Sequence, residues 1–216
     1  GSAQLLADEL NEEQREFTRF IVESGQRLLD TLSAILEFAH LDSGGTRAKF
    51  EPISLPTTLR RIAEQHLLRA RAKGIDLALE LRNDEMFVEA NPSHFERIIE
   101  ILLGNAIKFT RVGCVTVILA RDDAYALIHV RDTGIGIAPD FLPHLFQEFR
   151  QESDGLSRTH EGPGLGLAIA RRLVENMHGT ISATSTKHVG STFTVRLPLM
   201  PASSPAMAEM RPAANG

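Results

Sequence analysis

Between residues 12 and 40 the apolar positions fall at Phe17, Ile21, Leu28, Leu32, Ile35 and Phe38 or Ala39, with mostly polar residues between them. That spacing follows the α-helical period and predicts one long helix with an apolar stripe. Asn11, with Glu12 and Glu13 behind it, supplies an N-cap and an acidic first turn. Such a stripe needs a partner helix to cover it, and residues 5–10 read as the tail of one. The run Asp42-Ser43-Gly44-Gly45-Thr46 then breaks the helix and marks a domain boundary.

Beyond that break the period changes repeatedly. Residues 50–53 read as a short strand. Residues 56–73 read as a helix, opened by Ser54 or by Leu55-Pro56 and ended by Gly74. Residues 75–81 alternate as a strand. Asn91-Pro92 opens a helix that runs to about Phe109. Residues 114–121 and 124–131 form a hairpin around Asp122-Asp123. A short helix is expected over 139–146 and a mobile, polar, Gly-containing loop over 150–163. Residues 165–178 read as a helix stopped by Gly179. Residues 180–186 and 191–197 form a last hairpin, and from Pro201 a tail rich in Pro, Ala and Ser is expected to stay disordered. Strands interleaved with helices, plus two hairpins, predict a mixed sheet with helices on one face, an α/β (α+β) sandwich. Crossover helices do not separate the strands regularly, which argues against a doubly wound parallel sheet. The expected division is a helical segment over 1–45, a sandwich domain over 46–200 and a tail over 201–216.

Composition narrows the partners. At 216 residues the chain is long enough for a core that folds without staples. A formal net charge of -5 gives no electrostatic footprint for nucleic acid. The one cysteine, Cys114, excludes an internal disulfide and a Cys-rich zinc site, and its apolar run predicts a buried small hydrophobe. No apolar stretch approaches the ~18 residues that span a bilayer, so no direct membrane contact is expected. Gly1-Ser2 has no signal-peptide pattern and resembles a cloning remnant. The expectation is a soluble, cytoplasmic piece of a parent protein that is free to carry a membrane anchor elsewhere.

Three motifs carry candidate chemistry. The first, Asn105-Ala106-Ile107-Lys108-Phe109-Thr110, closes the Asn91 helix. An Asn amide oxygen suits a hard cation such as Mg²⁺. Lys108 shares its helical face and offers an ammonium to a phosphate. Alone, such a pair more often marks a solvated helix end. The second, Asp132-Thr133-Gly134-Ile135-Gly136-Ile137, follows a strand. Its carboxylate can accept a hydrogen bond from an exocyclic amine, and Gly134 and Gly136 permit positive φ and close approach of a ligand. Alone, it also describes a tight turn with a self-capping Asp. The third, Gly162-Pro163-Gly164-Leu165-Gly166-Leu167, opens a helix whose free N–H groups and dipole suit a phosphate chain. Alone, it also describes a flexible linker.

In this order, with a loop between the second and third, the motifs resemble the histidine-kinase branch of the ATPase superfamily that includes gyrase. There they are the N box and two glycine boxes. Phe146-Gln147-Glu148-Phe149 resembles the intervening F box, and Arg158-Thr159-His160-Glu161-Gly162 the end of the ATP lid. Glu23-Ser24-Gly25-Gln26-Arg27-Leu28-Leu29 and Ile35-Leu36-Glu37-Phe38 resemble the second dimerisation helix. Over roughly residues 5–199 the chain is thus similar to a bacterial sensor histidine kinase of a two-component system. The resemblance implies a Bergerat-type sandwich preceded by a helical-hairpin dimerisation segment. It implies ATP and Mg²⁺ as cofactors, a homodimer through the N-terminal helices, and a response regulator as partner. Residue by residue, it assigns Asp132 to the adenine amino group, Asn105 to a Mg²⁺ ion bridging the phosphates, and Lys108 to phosphate. Gly134 and Gly136 would admit the nucleotide, while Gly162, Gly164, Leu165 and Gly166 would wrap its phosphates. The implied activity is ATP-dependent phosphorylation of a histidine for relay to a regulator aspartate.

Three features depart from the family pattern. Its phosphoacceptor motif, a His followed by an acid and then Arg and Pro, is absent, so the chain is expected to start after it and not to phosphorylate itself. None of the eight histidines fits that motif; His160-Glu161 matches superficially but belongs to the lid. Ile101 stands one turn before Asn105, where the family usually has a polar residue, most often Asn, and is expected to border the metal–phosphate region with apolar atoms. Pro163 replaces a common Thr, removing an N–H and fixing φ. These two positions support a rival reading: a degenerate kinase module that binds nucleotide or a partner without efficient turnover.

Overall fold

The computed structural model describes residues 11–42, 49–82, 85–152 and 164–201. The readings made for residues 5–10, for Ser43 to Thr46, for 153–163 and for the tail after Pro201 lie outside the described residues. Helix α1 spans Glu12–Asp42. Its N-terminus is a capping box: Asn11 Oδ1 accepts from Gln14 N–H at 2.9 Å, and Gln14 Oε1 accepts from Asn11 N–H at 3.1 Å. The expected stripe of Phe17, Ile21, Leu28, Leu32 and Ile35 is exposed, and Val22, Leu29 and Leu36 widen it. Phe38 leaves the stripe. With Ala34 it packs against the core of the following domain.

The rest of the chain runs β1 (Glu51–Ser54), α2 (Leu55–Ala72), β2 (Ile75–Glu80), β3 (Phe87–Ala90), α3 (Pro92–Phe109), β4 (Gly113–Asp122) and β5 (Tyr125–Asp132). A single 3₁₀ turn (Leu142–His144), α4 (Gly166–Asn176), β6 (Thr180–Thr186) and β7 (Gly190–Pro198) complete it. The main sheet has the order β2-β4-β5-β7-β6. Only β2 and β4 are parallel; the other neighbours are antiparallel. Alternation decides its faces. Val115, Val117, Leu119, Ala126, Ile128, Val130, Phe193, Val195 and Leu197 point one way and are buried. Helices α2, α3 and α4 cover that side. The opposite face is wetter, with pairs such as His129 Nδ1 and Thr194 Oγ1 at 2.9 Å.

Each helix start has a local cause. Asn91 Oδ1 accepts from His94 N–H at 3.0 Å, with Pro92 in the first turn of α3. Ser54 precedes α2 without bonding a backbone N–H; its hydroxyl meets Thr57 Oγ1 at 3.2 Å instead, and Pro56 sets the first turn. Four readings need correction. Residues 87–90 form a strand, antiparallel to β1, that the short run Phe87-Val88-Glu89-Ala90 did not announce. The helix expected over 139–146 shrinks to one 3₁₀ turn, because Pro143 brings no N–H and its ring crowds the preceding turn. Cys114 is half-buried rather than core. At the end of α4 the left-handed residue is His178, at φ 56°, and not Gly179.

Gly179 is required for another reason. A Cβ there would lie 2.5 Å from the Arg196 carbonyl oxygen and 2.6 Å from Leu197 Cδ2. Gly104, inside α3, has nothing within 4 Å of the same position. Gly179→Ala is therefore expected to destabilise by about 1–3 kcal/mol, as overpacking does. Gly104→Ala is expected to stabilise by about 0.5–1 kcal/mol through helix propensity. Thermal melts should move in opposite directions, by about 2–4 °C per kcal/mol.

Candidate functional site

Helix α3 brings the first motif into place. Phe95, Ile98, Ile99, Leu102, Leu103, Ala106 and Ile107 bury its apolar face. Asn105 and Lys108 lie off that face in the last turns, and both line a cavity of about 280 Å³. Strand β5 delivers Asp132 to the same cavity from its C-terminal end, and Gly136 follows in the next loop. Gly164 and Gly166 approach from the start of α4. Apolar walls come from Ile135, Ile137, Phe141, Leu145 and Phe193. A carboxylate, an amide and an ammonium thus face one mostly apolar cleft, the pattern of a small-molecule site.

Asp132 is the buried charge of this cleft, 6% exposed. Burial raises its pKa above the ordinary carboxylate value, opposed by hydrogen bonds from the backbone N–H groups of Gly134 and Ser191. The Gly134 N–H lies 2.9 Å from Oδ1. A dehydrated carboxylate with backbone donors on one side is suited to take a further donor from the cleft.

The loop after Asp132 is held by backbone contacts, and this explains its glycines. Ile135 N–H donates to the Phe109 carbonyl at 3.2 Å, tying the loop to the end of α3. Gly134 is not left-handed; it is small because a Cβ would lie 2.5 Å from the Phe109 oxygen. Gly136 is left-handed, at φ 64°, and a Cβ would overlap the Thr186 carbonyl oxygen. The protein's own backbone therefore accounts for glycine at both positions. Ser185 Oγ accepts from Ile137 N–H at 2.8 Å. Glu152 Oε1 accepts from Ala138 N–H at 3.2 Å and from the Lys187 ammonium at 2.6 Å. Ser185, Glu152 and Lys187 were missed by sequence reasoning, because each meets the loop only after the chain has folded back.

Of the candidate residues, Asn105, Lys108, Asp132, Gly136, Gly164 and Gly166 line the cleft. Gly134 and Leu165 are buried and do not line it, Leu165 as part of the core at 0% exposed. Gly162, Pro163, His160 and Glu161 lie outside the described residues. Ile101 is not on the lining either. It is partly buried against the core, and its Cγ2 would lie 3.5 Å from a Cβ on Gly166. It therefore packs against the start of α4, beside Gly166 of the lining. Among the described residues no cluster of three or more His, Cys, Asp or Glu side chains forms a metal cage.

Residues 90–201 match the family described as Histidine kinase-, DNA gyrase B-, and HSP90-like ATPase. The autoinducer 2 sensor kinase/phosphatase LuxQ of Vibrio parahaemolyticus is 34% identical over 209 residues, covering 92% of this chain and 24% of LuxQ. The sensor protein TorS of Escherichia coli is 39% identical over 216 residues, covering 95% of this chain and 22% of TorS. The chain spans about a quarter of the length of these curated relatives. Among solved structures, full-length ShkA in complex with AMPPNP superimposes with a TM-score of 0.77 at 32% identity, over 94% of this chain and 43% of that chain. The mycobacterial sensor histidine kinase MprB does so with a TM-score of 0.62 at 26% identity, over 70% and 99%.

Asp132 gives a pH-dependent prediction. Because its folded pKa is raised, the neutral acid is favoured in the folded protein; its contribution to stability grows as pH falls through the raised pKa toward the ordinary value. A ligand amine donor needs the carboxylate, so affinity should fall over that same window. Asp132→Asn keeps an acceptor for Gly134 N–H but loses the charge. It should weaken ATP binding about tenfold or more, the loss of one charge-assisted bond, and flatten both pH dependences relative to the parent. Calorimetric titrations and melts across acidic pH check both.

Proposed function

Because the chain belongs to the histidine kinase-, DNA gyrase B-, and HSP90-like ATPase family, with sensor histidine kinases among its relatives, we propose that it is the nucleotide-binding part of an ATP-dependent protein histidine kinase of a two-component system. One observation carries this reading: Asp132 from the end of β5, and Asn105 and Lys108 from the last turns of α3, face a single apolar cleft beside a helix start. The Bergerat-type sandwich is shared with those kinases.

In this reading the apolar walls hold the adenine and exclude water from it, and Asp132 accepts a hydrogen bond from the exocyclic amine. Asn105 and Lys108 lie where phosphates leave the base, and the α4 N-terminus adds free N–H groups and the positive end of its dipole. The Asn105 amide oxygen would hold a Mg²⁺ ion carried chiefly by the nucleotide's own phosphates, in keeping with described residues that form no carboxylate cage. When bound, the ion neutralises charge on the transferring phosphoryl group. Phosphoryl transfer asks mainly for positioning and charge neutralisation, which this set of groups supplies.

The organisation follows the same reading. Residues 1–45 belong to dimerisation helices, 46–200 to the catalytic domain, and 201–216 to a tail. Helix α1 pairs with its symmetry mate in a homodimer. The phosphoacceptor histidine and the aspartate of a response regulator are substrates supplied from outside these residues. No described helix is long and apolar enough to cross a membrane, and action in the cytoplasm accords with that.

Titration with ATP, with and without Mg²⁺, tests the reading. We expect saturable binding that Mg²⁺ strengthens; no binding at millimolar ATP would refute it. In γ-labelled ATP the chain should acquire no acid-labile, base-stable label, and stoichiometric label on one of its histidines would overturn the assignment of the acceptor to another segment. Sedimentation should reveal a concentration-dependent dimer. Leu28→Glu, on the exposed stripe, should abolish it without lowering ATP affinity.

A further inference from the structure

The last four carbonyls of any α-helix lack intrahelical partners. In α3 each finds one. The Ala106 oxygen accepts from Thr110 N–H at 3.1 Å and from its hydroxyl at 2.7 Å. The Phe109 oxygen takes Ile135 N–H. The remaining two, Ile107 and Lys108, are both met by one side chain: the Lys73 ammonium donates to them at 2.8 Å and 3.1 Å. Lys73 comes from a different element. It is the residue after α2, and Gly74, left-handed at φ 68°, turns the chain into β2 behind it.

The electrostatics of this helix end are unusual. A helix C-terminus carries about half a negative charge, concentrated on its terminal carbonyls. In α3 that end bears Asn105 and Lys108 and opens on the cleft. A polyphosphate there would meet the repelling pole of the helix. An ammonium seated on these two carbonyls offsets that pole and fixes the turn from which Lys108 projects.

We propose that Lys73 is a positioning residue for the nucleotide's phosphates, acting through the C-terminal turn of α3 without touching the ligand. The inference rests on the reading of the cleft as a nucleotide site. It makes Lys73 matter in proportion to phosphate charge and leaves recognition of the base, at Asp132, alone. Lys73→Met keeps the length and removes the donor. Lys73→Arg restores donor and charge.

The test measures the affinities of ATP with Mg²⁺ and of adenosine by chemical-shift titration, in the parent and both variants, alongside thermal melts. We expect Lys73→Met to weaken ATP about fivefold or more, the scale of lost charge-assisted hydrogen bonds, with adenosine changed less than twofold. Lys73→Arg should recover most of the loss, and added salt should narrow the gap between parent and Lys73→Met. If ATP and adenosine weaken equally, or Lys73→Met alters neither, Lys73 is a structural cap only and the inference fails while the nucleotide site stands. If the parent itself does not prefer ATP to adenosine, the reading of the cleft fails and takes this inference with it. Should Lys73→Met not fold, the ATP-to-adenosine ratio in Lys73→Gln decides by the same criteria.

Discussion

Burial of α3 is the constraint on which the remaining structure depends. Seven of its side chains are shut away between the sheet and the neighbouring helices, and the face they form has no other place to go. Fixing that face fixes what remains. Arg97 emerges toward α1, and Asn105 and Lys108 emerge at the other end toward the cleft. No separate device is needed to hold the amide and the ammonium together, because one rigid turn carries both. The cleft then exists where the end of α3, the end of β5 and the start of α4 meet, at one end of the sheet's central strands.

The loop after Asp132 shows how tightly this junction is drawn. Backbone passes against backbone at Gly134, beside the end of α3, and at Gly136, beside the end of β6. These contacts do more than seat the loop. They keep water away from the carboxylate, which is why Asp132 is charged only at a cost and its pKa is raised, and they pin the Gly134 N–H on it, which offsets part of that cost. A group prepared in this way gains from a donor that a solvated aspartate would ignore. The glycines read in the sequence as room for a ligand are thus first of all room for the protein, and the ligand benefits indirectly, through the shape and dryness they allow.

That distinction marks where sequence reasoning stops. The strands of the main sheet and the ends of α3 were legible because alternation, Asn91-Pro92 and the Asp122-Asp123 turn are local signals. The three motifs were legible as a set because their order is specific. What was hidden depends on residues far apart in the chain. Val88 looks like a loop residue until β1 lies beside it. Gly179 looks like a helix stop, yet His178 takes the left-handed conformation and Gly179 yields to the Arg196 carbonyl. Ile101 looked like a defect in a metal site, since helical spacing alone puts it near the Asn105 face. Its neighbour turns out to be Gly166, where a Cβ would stand in ordinary contact with it at 3.5 Å. Lys73 gave no signal at all, because a lysine before a glycine is an ordinary helix ending.

Helix α1 has to satisfy two surfaces at once, and their strengths differ. Toward the domain that follows it offers Ala34, Phe38 and a bidentate ion pair in which Arg97 Nε and Nη2 meet the Glu37 carboxylate at 3.0 Å and 2.9 Å. Both partners are partly exposed, at 42% and 30%, so the pair contributes at most about 1 kcal/mol. On its other side Phe17, Ile21, Leu28, Leu29, Leu32 and Leu36 stand more than half exposed. Each such side chain contributes roughly 1.5–3 kcal/mol once fully covered. The balance falls heavily on the second surface: the helix is committed to whatever covers its stripe and only lightly attached to the domain that follows. Arg97 of that ion pair lies on α3, the same rigid element that carries Asn105 and Lys108.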